Sequence, residues 1–378
     1  MHHRLKALAV IFVALASVLP AQAQNTYKIG SALGLTGYAA TNDRGWRDGM
    51  ELAINYFNAK GGLLGKKIEM IAEDNRSEPQ EAVVVYRKMI SNDNVQIFDS
   101  GCVSAGNFAA ASFVVRASLP MVLCSILPPR PEEVKWAFSL LPPPRFEVES
   151  RYRYLKEKTD IRKVGILHDP SPYANLMKGL GEKLAADFGI EVVAIETYKQ
   201  DDADMSVQIG RIQAAGAGAI IKMGIGGSTV TIAKNIKQLG LDKMIYMAGL
   251  DDGALFKQAG EVLGERFLFV ATSVQIPESI PAGPAREAAD LFLKAWREKY
   301  GDRDPNAPSR GWDSIFVIAK AAELGKSLDG SAMRDSLEKV TGFQGSTTKY
   351  NFSADQHVGI TENPFVIGVV RNAQLVQK

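Results

Sequence analysis

From Tyr27 onward, short apolar runs alternate with amphipathic stretches, and no other feature constrains the fold as tightly. Apolar runs of four to eight residues bounded by turn formers read as buried strands: "YKIGSAL", "KIEMIAED", "VQIFDS" and "LPMVLC" come first. Between them, Trp46, Met50, Ala53, Ile54 and Phe57 recur at spacings of three and four, which gives a helix one apolar face; Gly61-Gly62 ends it. A second helix starts near Pro79, where a missing N–H costs nothing, and "AGNFAAASFVVRA" reads as a third. Repeated β-α-β order implies a parallel, doubly wound sheet. The run "LLPPPR", Leu140 to Arg145, breaks this rhythm, because three prolines suit neither a helix interior nor a central strand. It predicts a crossing into a second lobe. A second series follows it, from "KVGILHD" through "AGAIIKMG" to "RFLFVATS". Two further helices, "PAREAADLFLKAWREKYG" and "RGWDSIFVIAKAAELG", are assigned back to the first lobe, and "VIGVVRNAQLV" reads as a pair of strands.

The first residues bound where such a chain works. "MHHRLKALAVIFVALASVLPAQAQ" has a basic start, an apolar run from Ala7 to Leu19 and the small-residue pattern Ala21-Gln22-Ala23. That pattern is a secretory signal peptide over residues 1–23, cut after Ala23; the apolar run is too short to span a bilayer of ~30 Å. Its removal takes Arg4 and Lys6 from 44 basic residues and nothing from 42 acidic ones, so bulk charge gives no reason to expect a nucleic-acid or membrane-surface partner. The rest of the 378 residues exceeds the ~250–300 at which a single core stops growing, which again points to two lobes. Two cysteines, Cys102 and Cys124, meet an oxidising compartment in which a disulfide is permitted.

In open α/β sheets, ligands sit beyond the carboxyl ends of the strands. The candidate loops are therefore "GLTG" at 34–37, "SGCVSAG" at 100–106, the loop from Cys124, "DPSPY" at 169–173, "GIGGS" at 224–228 and "LDDG" at 250–253. Three belong to each lobe, so they line a cleft from both sides. Catalysis has little support. Ser104 has Cys102 rather than glycine two places before it, so there is no nucleophile elbow, and His168 and His357 are the only histidines after the leader. "GIGGST" lacks the later glycine of a dinucleotide fingerprint, no phosphate-loop lysine motif occurs, and no paired metal-ligand spacing occurs; neither a cofactor nor a metal is expected. What remains is a cradle, in which small residues at a helix start leave N–H groups open to an anion and Ser104 adds its hydroxyl. Ser104 as a plain helix N-cap is the alternative.

The stretch from Gly34 to Val83 resembles the N-terminal signature of periplasmic leucine/isoleucine/valine-type binding proteins of ABC transporters. The resemblance rests on Thr36-Gly37, "AIN" in the first helix, "GGLLGKKI" at 61–68, and an acidic strand end followed by Pro79. "HDPSPYAN" at 168–175, "IAKNIKQLGL" at 232–241 and "GWDSIFVIAKAAELG" at 311–325 extend it over nearly the whole exported chain. It implies a type I periplasmic binding fold: two Rossmann-like α/β lobes with parallel sheets, 24–142 plus 273–343 and 143–272 plus 344–378, joined by three crossings. It also implies a periplasmic, monomeric receptor, not an enzyme, that captures a small carboxylate, foremost an apolar amino acid, and hands it to an inner-membrane ABC permease. On that pattern Ser104 and Ala105 hold the carboxylate, with Ser125 in a second loop; Tyr173 closes from the opposite lobe, and Asp251 or Asp252 meets the ammonium. Asn42 stands where amino-acid binders often carry an aromatic residue and Ile225 where tyrosine is common. Those departures support the alternative of an aromatic or aliphatic acid without an amine. The family's usual disulfide partner is absent from "EDNRSEP"; Cys102 and Cys124, at the ends of neighbouring strands, are an alternative pair.

Overall fold

A computed structural model describes residues 26–378; the expected signal peptide lies outside them. The first sheet comprises β1 (Thr26–Leu33), β2 (Lys67–Asp74), β3 (Ile97–Ser100), β4 (Met121–Leu123) and β5 (Ala137–Ser139), all parallel, in the order β2-β1-β3-β4-β5. Its helices are α1 (Ala40–Ala59), α2 (Pro79–Lys88), α3 (Ser104–Arg116) and the single turn α4 (Pro131–Val134). After α5 (Pro144–Lys158) the second sheet begins: β6 (Lys163–His168), α6 (Pro172–Ala185), β7 (Glu191–Thr197), α7 (Ser206–Ala214), β8 (Ala219–Met223), α8 (Ser228–Gln238), β9 (Ile245–Ala248), α9 (Gly253–Leu263) and β10 (Phe267–Thr272). The chain then forms α10 (Pro284–Tyr300), α11 (Asn306–Gly325), α12 (Gly330–Leu337) and a small hairpin, β11 (Phe343–Gln344) with β12 (Lys349–Tyr350). It ends in β13 (Phe365–Arg371) and β14 (Gln374–Gln377), which add antiparallel to β10 and complete the order β14-β13-β10-β9-β8-β6-β7.

Both sheets are covered on both faces, which is why their strands read as continuous apolar runs. Four apolar clusters result. In the first lobe, Trp46 and Met50 of α1 join Phe292 and Trp296 of α10 and Trp312 and Ile318 of α11 on one face, while Ala82 and Tyr86 of α2 and Ala110 and Val114 of α3 cover the other. In the second lobe, Ile209, Ile232 and Phe256 of α7, α8 and α9 face Val148, Tyr152 and Met177 of α5 and α6 across the strands. Helices α1 and α11 touch at backbone distance. A Cβ on Gly49 would lie 1.9 Å from the Pro308 carbonyl oxygen, and one on Gly311 would lie 2.1 Å from that of Trp46.

The proline run does not remain a bare crossing, because Pro143 and Pro144 stand at the N-cap and first position of α5, where fixed φ and a missing N–H do no harm. Helix α11 likewise begins at Asn306 rather than at Arg310, which places Arg310 inside a helix. The end of β5 runs beside the segment that leads into β13: Ser139 N–H donates to the His357 carbonyl at 2.8 Å, and Gly359 N–H donates to that of Ser139 at 3.1 Å. His357 is structural, its ring stacked on Phe138 at 4.3 Å with Nε2 3.2 Å from Glu338.

Candidate functional site

The strand-end loops of the two sheets face one another across a cavity with about 510 Å³ of empty space, its open mouth included. Asn42, Ser104, Ser125 and the cysteines line the first-lobe side; Ser171, Tyr173, Ile225 and Leu250 line the other. Tyr38, Leu141 of the first crossing and Arg310 of α11 complete the wall. Five residues chosen from sequence, Asn42, Ser104, Ser125, Tyr173 and Ile225, are thus brought together, whereas Ala105, Asp251 and Asp252 lie outside the lining.

On the first-lobe side the loop into α3 is held from below. Asp43 of α1, fully buried, accepts from the N–H groups of Gly34 and Cys102, each at 2.7 Å. Burial pushes its carboxyl up to about 7, against the lowering effect of those two bonds. Cys102 and Cys124 are joined by a disulfide, tying the ends of β3 and β4 together beside the cavity. Ser104 is the first residue of α3, and the N-cap is Val103. Its hydroxyl caps nothing, which overturns the plain N-cap reading and leaves the group free beside N–H groups that a first helical turn cannot satisfy internally. Ser125 is committed: it accepts from Asn107 Nδ2 at 2.8 Å and donates to the Ile126 carbonyl at 3.1 Å.

On the opposite side Tyr173, in the first turn of α6, donates its hydroxyl to Glu147 Oε1. Burial, and then the Glu147 charge, hold that phenol well above its ordinary value. The other Glu147 oxygen accepts from Leu250 N–H at 2.8 Å, so α5 supports two lining residues at once. Tyr38 is also pushed up, by burial first and then by Asp169 and Asp43. His168 is structural, with Nδ1 2.8 Å from the Asp169 carbonyl oxygen and Nε2 3.1 Å from Thr197 Oγ1.

The two aspartates expected to meet an ammonium are occupied elsewhere. Asp251 is buried behind the wall, where Oδ1 accepts from Asn42 Nδ2 at 3.1 Å and Oδ2 from Gly226 N–H at 2.7 Å, with Lys222 Nζ 3.7 Å away. That fully buried lysine is pulled below its ordinary pKa by desolvation, while Asp251 pulls the other way. Asp252 caps α9 through Ala254 N–H at 2.7 Å; burial raises it, with the Asp251 charge adding to the rise, and burial and then the Asp252 charge raise Asp304. The Asn42–Asp251 bond crosses between the lobes. So does the approach of Gly226, at φ +89, to Tyr38, whose carbonyl oxygen would lie 2.8 Å from a Cβ there.

Sequence reading missed Tyr38, Leu141, Ser171, Leu250 and Arg310. Tyr38, Ser171 and Leu250 sit in or beside loops already marked as strand ends, and Leu141 in the recognised crossing. Arg310 had one faint signal, a lone charge among mostly small residues in "NAPSRGW". Among the described residues no cluster of potential metal ligands occurs, and no helix is long and apolar enough to cross a membrane.

Comparison with known proteins agrees with this architecture. The periplasmic binding protein family matches residues 26–374. A Leu/Ile/Val-binding protein homolog 7 of Brucella suis is 25% identical, covering 94% of this chain and 91% of its own. Among solved structures, an extracellular ligand-binding receptor of Rhodopseudomonas palustris HaA2 superposes with a TM-score of 0.85 at 19% identity, covering 93% of this chain and 99% of that one. A branched-chain amino acid transporter substrate-binding protein of Streptococcus pneumoniae, solved with isoleucine, gives 0.76 at 23% identity over 93% and 97%. The chain belongs to the periplasmic binding protein family and is a receptor, not an enzyme.

Proposed function

We propose that the protein captures a small carboxylate between two lobes that close on it, and delivers the closed form to an inner-membrane ABC permease. The lobes in this reading are 24–142 plus 273–343 and 143–272 plus 344–378; the leader is cleaved in export, and the receptor acts as a periplasmic monomer. The observation that carries the proposal is the uncommitted hydroxyl of Ser104, facing the interlobe cavity at the start of α3. A helix N-terminus with free N–H groups and an added hydroxyl suits a carboxylate. Contacts made to both lobes exist only in the closed state, so binding shifts that population.

An apolar amino acid is the ligand the relatives support, since one carries Leu/Ile/Val binding in its name and another was solved with isoleucine. A second reading, an aromatic or aliphatic acid without an amine, is favoured by the lining itself, which contains no acidic side chain. A thermal-shift screen of the purified protein against amino acids, aromatic acids and short aliphatic acids tests both. Ligand at a hundred times its Kd adds ~2.7 kcal/mol. Stabilisation by no carboxylate would overturn the receptor assignment for this class.

A further inference from the structure

One lining group has no role in the arrangement described so far. Arg310 is 2% exposed, its Nη1 donates to Asn306 Oδ1 at 3.2 Å, and among the described residues its Nε has no hydrogen-bond partner. Among the described residues it forms no ion pair. A guanidinium keeps its charge, and a buried charge is tolerated only when something pairs with it. Tyr350 and Tyr173, and after them Glu147 and Asp304, act on it without forming an ion pair; the two carboxylates have their oxygens held by Tyr173 and Leu250 N–H, and by Gln275 and Asn306 N–H. Asp251 and Asp252, the acids an ammonium would need, are committed to Asn42, Gly226 N–H and Lys222, and to the α9 cap. The cavity therefore presents an unpaired cation and no free carboxylate.

We propose that Arg310 is the charge partner of the ligand and that the ligand enters as a net anion, a carboxylate not balanced by an amine. This rests on the carboxylate-receptor reading and narrows it. The shared chemistry has two sources, a monocarboxylate with an apolar body or a dicarboxylate whose second acid reaches Arg310.

The test compares leucine, its amine-free skeleton 4-methylpentanoate, phenylacetate and glutarate as probes, by thermal shift and calorimetry, on the wild type, Arg310→Met and Arg310→Lys. At least one amine-free acid should bind ten-fold or more tightly than leucine, with glutarate separating the two sources. Arg310→Met should lose about 10–150-fold in affinity for that acid while its ligand-free Tm holds or rises, because an unpaired buried charge has been removed; Arg310→Lys should recover part of the binding. A purely structural arginine would instead lower the ligand-free Tm and leave the ligand-induced shift intact, which overturns the inference. Leucine binding as tightly as 4-methylpentanoate and surviving in Arg310→Met also overturns it, and leaves the receptor reading standing. If none of the four probes shifts the wild type, both readings fall.

Discussion

Ser104 shows how much a single side chain can decide. Its hydroxyl makes no hydrogen bond among the described residues, Val103 holding the capping position, so Ser104→Ala removes a group this part of the fold does not use. The expected result is a ligand affinity weakened by ~1.5–3 kcal/mol, as for a hydrogen bond to a charged group, with the ligand-free Tm unchanged; calorimetry and a melting curve on the same variant check both halves. Such a site is only half visible in sequence. The loop positions of Ser104, Ser125 and Tyr173 follow from strand ends and resemblance, but whether a polar group is free or committed depends on partners far along the chain. Asp251 looked available until Lys222 and Asn42, 209 residues away, were placed against it. Arg310 was overlooked for the opposite reason, since a charged residue near a proposed helix start reads as solvated surface and only the earlier start of α11 turns it inward.

At the level of elements, alternation made the two sheets and most helices legible, because strands buried on both faces and helices with one apolar stripe have distinct periods. Helix α5 escaped notice. It opens in a proline run, and its buried residues include Glu147 and Arg151, which blur an apolar stripe. Arg151 is satisfied by backbone and sulfur, its Nη1 donating to the Lys222 carbonyl at 2.7 Å. The α1–α11 contact gives a sharp test. Gly49→Ala has to displace the Pro308 carbonyl, and the expected loss is about 1–3 kcal/mol, measured by urea denaturation; an unchanged midpoint would mean that the helices part freely. The disulfide closes a loop with a sequence separation of 22. Its reduction should cost ~2–4 kcal/mol, read as a lower denaturation midpoint in the presence of reductant.

For the whole molecule, buried acids govern the pH response. Burial raises Asp43 and Asp99 to about 7 and Asp313 to about 6 from an ordinary 3.8. The folded state then holds protons that the unfolded chain has released, so stability falls as pH rises from about 4 to about 7. Lowered acids act below that window: Glu265, held at about 2 by Arg371 and Lys378, contributes stability that is lost only as pH drops under about 4. Chemical denaturation at pH 4.5, 6 and 8 should give its highest midpoint at the acidic end, and Asp99→Asn should flatten the slope. A midpoint that climbs toward pH 8 would contradict the assignment. The proposed closure also concerns the whole chain, and the pairing of the end of β5 with the segment before β13 bears on it directly. Two segments bonded edge to edge through Ser139, His357 and Gly359 can flex together far more easily than they can slide or twist apart. Lobes that close as proposed would then swing about one line, in the manner of a door leaf, and a permease would meet the same face each time.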